Sequence, residues 1–165
     1  MNRYIFLAVL LLATGCSVDK PDSILEAEAH IPETVSFAFD VRPILSDRCY
    51  ACHGPDAEGR VTDLHFDTPE GLDAALSESR RSRAVKGGNL GGSELYHRIL
   101  SDDPEFKMPP PESNLSLTIE EKAILIRWIE QGGDFEPHWA LTPPSQPAVP
   151  STDSSWPNDD LDRFI

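Results

Sequence analysis

Two cysteines and a histidine stand close together in the middle of the chain. Cys49 and Cys52 are separated by two residues, and His53 follows directly. This C-x-x-C-H spacing is the one that attaches a c-type haem, because one turn of backbone can place both thiols along the same edge of the porphyrin. The spacing therefore predicts thioether attachment at Cys49 and Cys52, with His53 as an axial ligand of the iron. We expect the Nδ1 of His53 to donate to a backbone carbonyl in the Gly54-Pro55 loop.

Three other uses of a close cysteine pair compete with this hypothesis. A structural zinc site needs about four nitrogen or sulfur ligands, but the chain has no second cysteine pair and its other histidines are scattered. A thioredoxin-type redox pair belongs to a strand-to-helix βαβ context, for which the sequence shows no pattern. A local disulfide between Cys49 and Cys52 fits the spacing as well, but it gives no role to His53.

The N-terminus has the features of an export signal. Arg3 supplies a positive charge, residues 5–12 form an apolar run too short for a permanent membrane span, and small residues follow. The next segment resembles a bacterial lipobox, although Ala13 stands where such boxes usually have leucine: Leu12-Ala13-Thr14-Gly15-Cys16. We predict a signal peptide at residues 1–15 and a lipid anchor on Cys16, with ordinary signal-peptidase cleavage as the alternative. Acylation of Cys16 would also account for the odd number of cysteines.

The second axial ligand is expected to be a methionine or a histidine, which are common partners of a proximal histidine. The chain has two methionines, and Met1 would be lost with the signal peptide, which leaves Met108. Prolines follow it directly, so the loop is held extended before any ligand binds. We predict that Met108 is the distal ligand, with His97 as the main rival and His65 behind it. The alternative is that Met108 only fills an apolar gap.

Composition and charge limit the range of functions. The 165 residues leave room for about one domain with tails. A net charge of −14 would repel phosphate backbones, so we expect no nucleic-acid partner. The same acidity favours a redox partner with a basic docking surface, although the sequence does not identify that partner.

The hydrophobic pattern predicts a small helical domain with long loops. Residues 16–34 are polar and acidic, and we interpret them as a tether with little fixed structure. Residues 35–135 should form the folded domain. A helix that starts at Val41, with Asp40 as its cap, is expected to end at the cysteines. Ser93 should cap a second helix whose apolar side carries Leu95, Tyr96 and Ile99.

The last helix of the domain has the strongest signals. Thr118 and Glu121 have the spacing of a capping box, and Gly132-Gly133 should end the helix. Its apolar positions are Ile119, Ala123, Ile124, Ile126, Trp128 and Ile129. Residues 136–165 are rich in proline and then become apolar again, so we interpret them as a linker and the start of another domain. A short helix is also expected near residues 69–77.

Taken together, these motifs resemble the planctomycete-type cytochrome c domain. The resemblance rests on the attachment motif and on these segments: Val41-Arg42-Pro43-Ile44-Leu45-Ser46, Cys52-His53-Gly54-Pro55-Asp56, Ser93-Glu94-Leu95-Tyr96, Met108-Pro109-Pro110-Pro111-Glu112 and Arg127-Trp128-Ile129. It implies an all-α, cytochrome c-like fold with three or more helices around a covalently bound haem c. In that family the haem domain stands at the N-terminus of large exported proteins, and His138-Trp139-Ala140 resembles the entry into the next domain.

The function that the resemblance implies is one-electron transfer at the cell envelope, on the periplasmic side of a bacterial membrane. The alternative is a redox or sensing module of a larger envelope enzyme whose catalytic domain lies in the same parent chain. Peroxidase-like catalysis would need an open sixth position on the iron, and Met108 argues against it. We therefore expect an electron carrier rather than an enzyme.

Overall fold

The computed structural model describes residues 18–60, 62–74, 83–141, 143, 147–151, 155–156 and 158–164. This part of the chain contains six α-helices and no strand, so the all-α prediction is confirmed. The helices are α1 (Asp22–Ala27), α2 (Arg42–Arg48), α3 (Tyr50–His53), α4 (Pro69–Leu72), α5 (Glu94–Leu100) and α6 (Ile119–Glu130). A π-helical turn at Phe37–Val41 leads into α2, and short 3-10 turns lie at Leu90–Gly92, Pro111–Ser113, Trp139–Leu141 and Asp162–Phe164. The predicted signal peptide and Cys16 lie outside the described residues, as do residues 75–77 of the short helix expected near α4.

Helix α6 forms the centre of the domain and follows the predicted capping pattern. The Thr118 hydroxyl accepts from the Glu121 amide at 3.1 Å, and the Glu121 carboxylate accepts from the Thr118 amide at 2.7 Å. Gly132 and Gly133 end the helix with φ values of 124° and 64°, a region that glycine adopts without strain. The buried face of α6 consists of Ala123, Leu125, Ile126, Trp128 and Ile129. The apolar set predicted from the sequence was therefore wrong at two positions, because Ile119 is exposed and Leu125, which it omitted, is fully buried.

The helical segment that precedes the cysteines begins at Phe37, about one turn before the predicted start at Val41, because a π-helical turn leads into α2. Ser36 rather than Asp40 is the cap, since its hydroxyl accepts from the Phe39 amide at 3.4 Å. The Asp40 carboxylate accepts from the Ser36 amide at 2.8 Å, so the two side chains cap the π-helical turn together. Asp40 thus helps to cap the π-helical turn, although it lies within that turn and not in front of it. The predicted end of the helix at the cysteines is confirmed.

Fixed structure is present in the segment interpreted as a tether, so that part of the prediction was wrong. Helix α1 packs on α6 through Ile24 and Ala27, which are 0% and 5% exposed. Lys20 adds ion pairs to Glu28 at 2.6 Å and to Glu130 of α6 at 3.0 Å. The sequence signal was weak because two apolar residues three positions apart make a stripe of less than one helical turn. This helix is stabilised by its packing on α6, since its own sequence has no apolar stripe long enough to stabilise it.

Helix α5 forms as predicted, with Leu95, Tyr96 and Ile99 buried. Ser93 precedes it but makes no capping bond to the helix. Its hydroxyl is fully buried and accepts from the Lys86 amide at 2.8 Å, while the Asn89 carbonyl lies at 2.9 Å to receive its proton. Ser93 therefore fixes the preceding loop against the core, which a sequence pattern does not distinguish from a cap.

Beyond Glu136, the described apolar side chains face solvent. Leu141, Trp156, Leu161 and Phe164 are 79%, 52%, 73% and 48% exposed. The boundary between the domain and the linker stays a prediction. In the part of the chain that the structure describes, no helix is both long enough and apolar enough to span a membrane.

Candidate functional site

One turn of helix brings the two cysteines and the histidine together. Cys49 directly follows α2, and its carbonyl accepts from the Cys52 amide at 3.1 Å and from the His53 amide at 2.8 Å. The two sulfurs are therefore separated by a single turn, with the imidazole directly after the second. Both cysteines are free thiols and half-buried, so no disulfide joins them. Among the described residues, no group of three or more His, Cys, Asp or Glu side chains is arranged to hold a metal ion.

The Cys49 thiol is held in its neutral form. Burial raises the pKa of Cys49 to about 12, and the nearby Glu121 carboxylate adds to this rise, while Arg48 acts against it. Arg48 and Glu121 form an ion pair at 3.1 Å, so their charges largely compensate each other beside the thiol. Burial penalises the thiolate but not an uncharged sulfur, so a thioether at Cys49 suits this environment.

The imidazole of His53 is fixed from two sides by the segment 64–66. Its Nδ1 lies 3.0 Å from the carbonyl oxygen of Leu64, and the Phe66 amide donates to the His53 carbonyl at 2.8 Å. The Phe66 ring packs on the imidazole with 5.2 Å between ring centroids. Because a carbonyl only accepts, Nδ1 carries the proton and Nε2 keeps the lone pair that a metal needs. A backbone carbonyl was predicted correctly, but it belongs to Leu64 and not to the loop at Gly54 and Pro55.

Gly54 allows the chain to leave α3 directly after His53. A Cβ added at Gly54 would overlap the carbonyl oxygen of Tyr50 and lie 2.7 Å from the Tyr50 Cβ. These are atoms of a helix that cannot easily move, so a larger residue would disturb the turn that holds both cysteines. The Tyr50 hydroxyl also reaches the Phe66 carbonyl at 3.4 Å, which ties the helix to the segment beside His53. The steric requirement for glycine at position 54 and the packing of Phe66 on His53 do not show in the sequence pattern, because both depend on contacts across the turn.

Met108 lies in a separate loop after α5. Its amide donates to the Arg98 carbonyl at 3.0 Å, its side chain is half-buried, and the following Pro109 is buried. The structure therefore groups Cys49, Cys52 and His53 on one turn and holds Met108 on another segment of the chain.

Arg98 ties the Met108 loop to α5. Its guanidinium lies over the Phe106 ring at 4.4 Å and donates to the Phe106 carbonyl at 3.3 Å. On its other side it donates to the Glu94 carboxylate at 3.0 Å, and Glu94 is 3% exposed. A partly buried charge with a partner on each side has little freedom to move. The role of Arg98 could not be predicted from the sequence, since nothing in its spacing separates it from a surface arginine.

The turn that carries the two cysteines and the loop that carries Met108 both adjoin the first turns of α6. Arg48, next to Cys49, pairs with Glu121. Burial lowers the pKa of Lys122, and the nearby Lys107, next to Met108, lowers it further. The attachment turn and the Met108 loop therefore both lie near the N-terminal end of this helix.

The two rival histidines have partners within the protein. The Nε2 of His97 lies 3.2 Å from the Gly91 carbonyl, and its ring meets Tyr96 edge-on with 5.1 Å between centroids. The Nδ1 of His65 lies 2.7 Å from the Asp67 carboxylate. These contacts favour Met108, whose thioether is a weak hydrogen-bond acceptor and loses little by leaving protein partners.

The donor set fits a haem c. Such a haem is held by two thiols one turn apart, by an imidazole with a fixed tautomer and, in many cases, by a thioether, and the chain offers all of these groups. The family model for Planctomycete cytochrome C matches residues 49–112 of the chain, from Cys49 to Glu112. The resemblance inferred from the sequence is thereby confirmed. Neither the search of curated proteins nor the search of solved structures found a significant match.

Proposed function

Because the chain contains a planctomycete-type cytochrome c domain, we propose that it binds haem c covalently and transfers single electrons at the cell envelope. A cytochrome c domain suggests a haem-binding electron carrier rather than an enzyme. When bound, haem c supplies an iron that alternates between the ferrous and ferric states. The observation that carries the proposal is the match over a segment that starts at the attachment turn and extends past Met108.

In this proposal, Cys49 and Cys52 hold the porphyrin through thioether bonds and His53 is the proximal ligand. The Leu64 carbonyl supports this role, since it keeps the proton on Nδ1 and leaves Nε2 free to bind. The Phe66 ring restricts rotation of the imidazole. The protein thus sets the tautomer and orientation of the ligand before the metal arrives.

We assign Met108 as the distal ligand, positioned by Arg98 and the loop that this arginine holds. A soft thioether stabilises ferrous iron, so His53 and Met108 together would give a relatively high reduction potential. With Met108 as the sixth ligand, the iron would have no open coordination position, which disfavours reactions in which a substrate must bind to it.

The domain family suggests an exported protein, and we propose that Cys16 carries the lipid that retains it at the membrane. The lipobox-like segment before Cys16 supports this anchor. The net charge of −14 supports a redox partner that presents a basic surface.

Covalent attachment is tested by expressing the chain with a c-type haem maturation system and measuring its intact mass after denaturation. The expected mass is that of the polypeptide from Cys16 onward, plus one haem and the lipid on Cys16. The double variant Cys49→Ala/Cys52→Ala should lose this increment, whereas Cys16→Ser should keep it and lose the mass of the lipid. A protein that releases its haem on denaturation, with both cysteines intact, would refute the proposed attachment.

A second candidate function is that of a redox or sensing module in a larger envelope enzyme. The exposed apolar residues beyond Glu136 favour it, since Leu141, Leu161 and Phe164 do not pack on this domain. The sequence of the complete gene tests it directly. A downstream catalytic domain would support the module, and a stop codon shortly after residue 165 would refute it.

A further inference from the structure

Residues 18 and 19, which follow Cys16 closely in the sequence, pack on the domain. Val18 packs against the hydrophobic core, and a Cβ added at Gly91 would lie 2.8 Å from its side chain. The Tyr96 hydroxyl donates to the Asp19 carbonyl at 3.3 Å. Residues 18 and 19 thus belong to the domain and do not form part of a tether.

Charged contacts then hold this segment on the C-terminal half of α6. Lys20 pairs with Glu130 at 3.0 Å, and Arg127 donates to the Glu28 carbonyl at 3.0 Å and to the Pro32 carbonyl at 2.8 Å. These bonds use backbone carbonyls on both sides of the turn after α1. The start of the domain is therefore fixed beside the end of α6.

Chain length limits how far Cys16 can lie from this point. Ser17 is the single residue between Cys16 and Val18. Because consecutive Cα atoms are about 3.8 Å apart, the Cα atom of Cys16 lies within about 8 Å of that of Val18. A lipid on Cys16 would hold the membrane surface near Val18 and Glu130.

The attachment turn for haem lies toward the other end of α6. Arg48, which precedes Cys49, pairs with Glu121 in the first turn of that helix. Glu121 and Glu130 are separated by about 14 Å along the helix axis, at about 1.5 Å per residue. A lipid on Cys16 would therefore lie toward the end of α6 opposite to the cysteine pair.

We propose that the domain rests directly on the lipid surface with α1 and the C-terminal end of α6 next to the membrane. This placement depends on the proposed acylation of Cys16. It turns the N-terminal end of α6 and the cysteine pair toward the aqueous compartment. A soluble partner could then reach the haem while the domain stays anchored.

The lipid, and not the protein surface, supplies the attraction to the membrane. The exposed side of α1 carries Asp22 and Glu26, which would be repelled by anionic head groups. Phosphatidylcholine vesicles, which are zwitterionic, avoid this repulsion and are the appropriate surface for a test.

The test uses the lipidated, haem-loaded chain with one spin label at either end of α6. Ser23→Cys places a label on exposed α1, and Ser116→Cys places one at an exposed position before α6. Cys16, Cys49 and Cys52 are consumed by lipid and haem, so the introduced thiol reacts alone. Vesicles with and without a nickel-chelating lipid are compared, and the relaxation enhancement by nickel should be severalfold larger at position 23 than at position 116.

A flexible glycine–serine insert between Ser17 and Val18 is the control and should bring the two enhancements close together. Unchanged haem absorption shows that each labelled variant is folded. Equal enhancement at both positions of the uninserted, membrane-bound chain would refute the placement and leave the lipid anchor intact. Failure to bind vesicles, with no acyl mass on Cys16, would refute the anchor and the placement with it.

Discussion

The Nδ1 of His53 lies 3.0 Å from the carbonyl oxygen of Leu64. The two residues are eleven positions apart, and the Phe66 amide closes the same segment onto the His53 carbonyl. This pair of bonds fixes both the backbone and the ring of the proposed proximal ligand. The position and orientation of the His53 imidazole therefore depend on the packing of the segment 64–66.

Loss of the Phe66 ring should loosen that segment. The Phe66→Ala variant is expected to lose about 3–5 kcal/mol of unfolding free energy, the usual cost of emptying a buried aromatic position. Denaturant unfolding of the haem-loaded protein measures this loss. Phe39 is 73% exposed and provides a matched control, for which Phe39→Ala should change the unfolding free energy by less than about 1 kcal/mol. Equal losses in the two variants would show that Phe66 does not support the site.

Gly54 should not tolerate a side chain. Because a Cβ at this position meets the backbone of Tyr50, we expect Gly54→Ala to destabilise the domain by about 1–3 kcal/mol and to lower haem incorporation during maturation. The ratio of haem absorbance to total protein measures incorporation. In Gly59→Ala, the new Cβ meets the Asp56 side chain, which can move, so this control should load haem normally. Normal loading and stability of Gly54→Ala would contradict the argument.

Arg98 should act as a positioning residue for Met108. Arg98→Lys keeps the positive charge but loses the planar contact with Phe106, so the Met108 loop should be weakened by about 1–2 kcal/mol. The weak far-red absorption band of an iron–methionine bond should then disappear at a lower temperature than in the parent protein. Arg163→Lys changes an exposed arginine and should leave the band unaffected. An unaltered band in Arg98→Lys would mean that the loop does not depend on this arginine.

The haem-free protein should react slowly at Cys49. Burial raises the pKa of this thiol from 9.0 to about 12, so iodoacetamide should label it slowly at pH 8 and faster as the pH approaches 12. Since the folded thiol keeps its proton where the unfolded thiol has lost it, this group makes the haem-free protein less stable as the pH rises above 9.0. Mass spectrometry of Cys52→Ala, native and in urea, measures the labelling. Equally fast labelling in both conditions would contradict the predicted burial.

The sequence predicts those features of the fold that depend on neighbouring residues. The capping box at Thr118 and Glu121 and the turn from Cys49 to His53 follow from spacing over three or four positions, and the structure has both. Helix α1 and the Leu64 carbonyl could not be predicted in this way. The first depends on contacts with α6, and the second on a contact between residues eleven positions apart, so neither follows from a local sequence pattern.

Optical spectra of the haem-loaded protein, oxidised and reduced, test the assignment of both axial ligands most directly. We expect a low-spin c-type spectrum with the far-red band of an iron–methionine bond in the oxidised protein. In Met108→Ala this band should be lost and the iron should become high-spin, with the covalent haem retained. An unchanged spectrum in Met108→Ala would remove Met108 from the site, and a high-spin spectrum in the parent protein would contradict a closed electron-transfer centre.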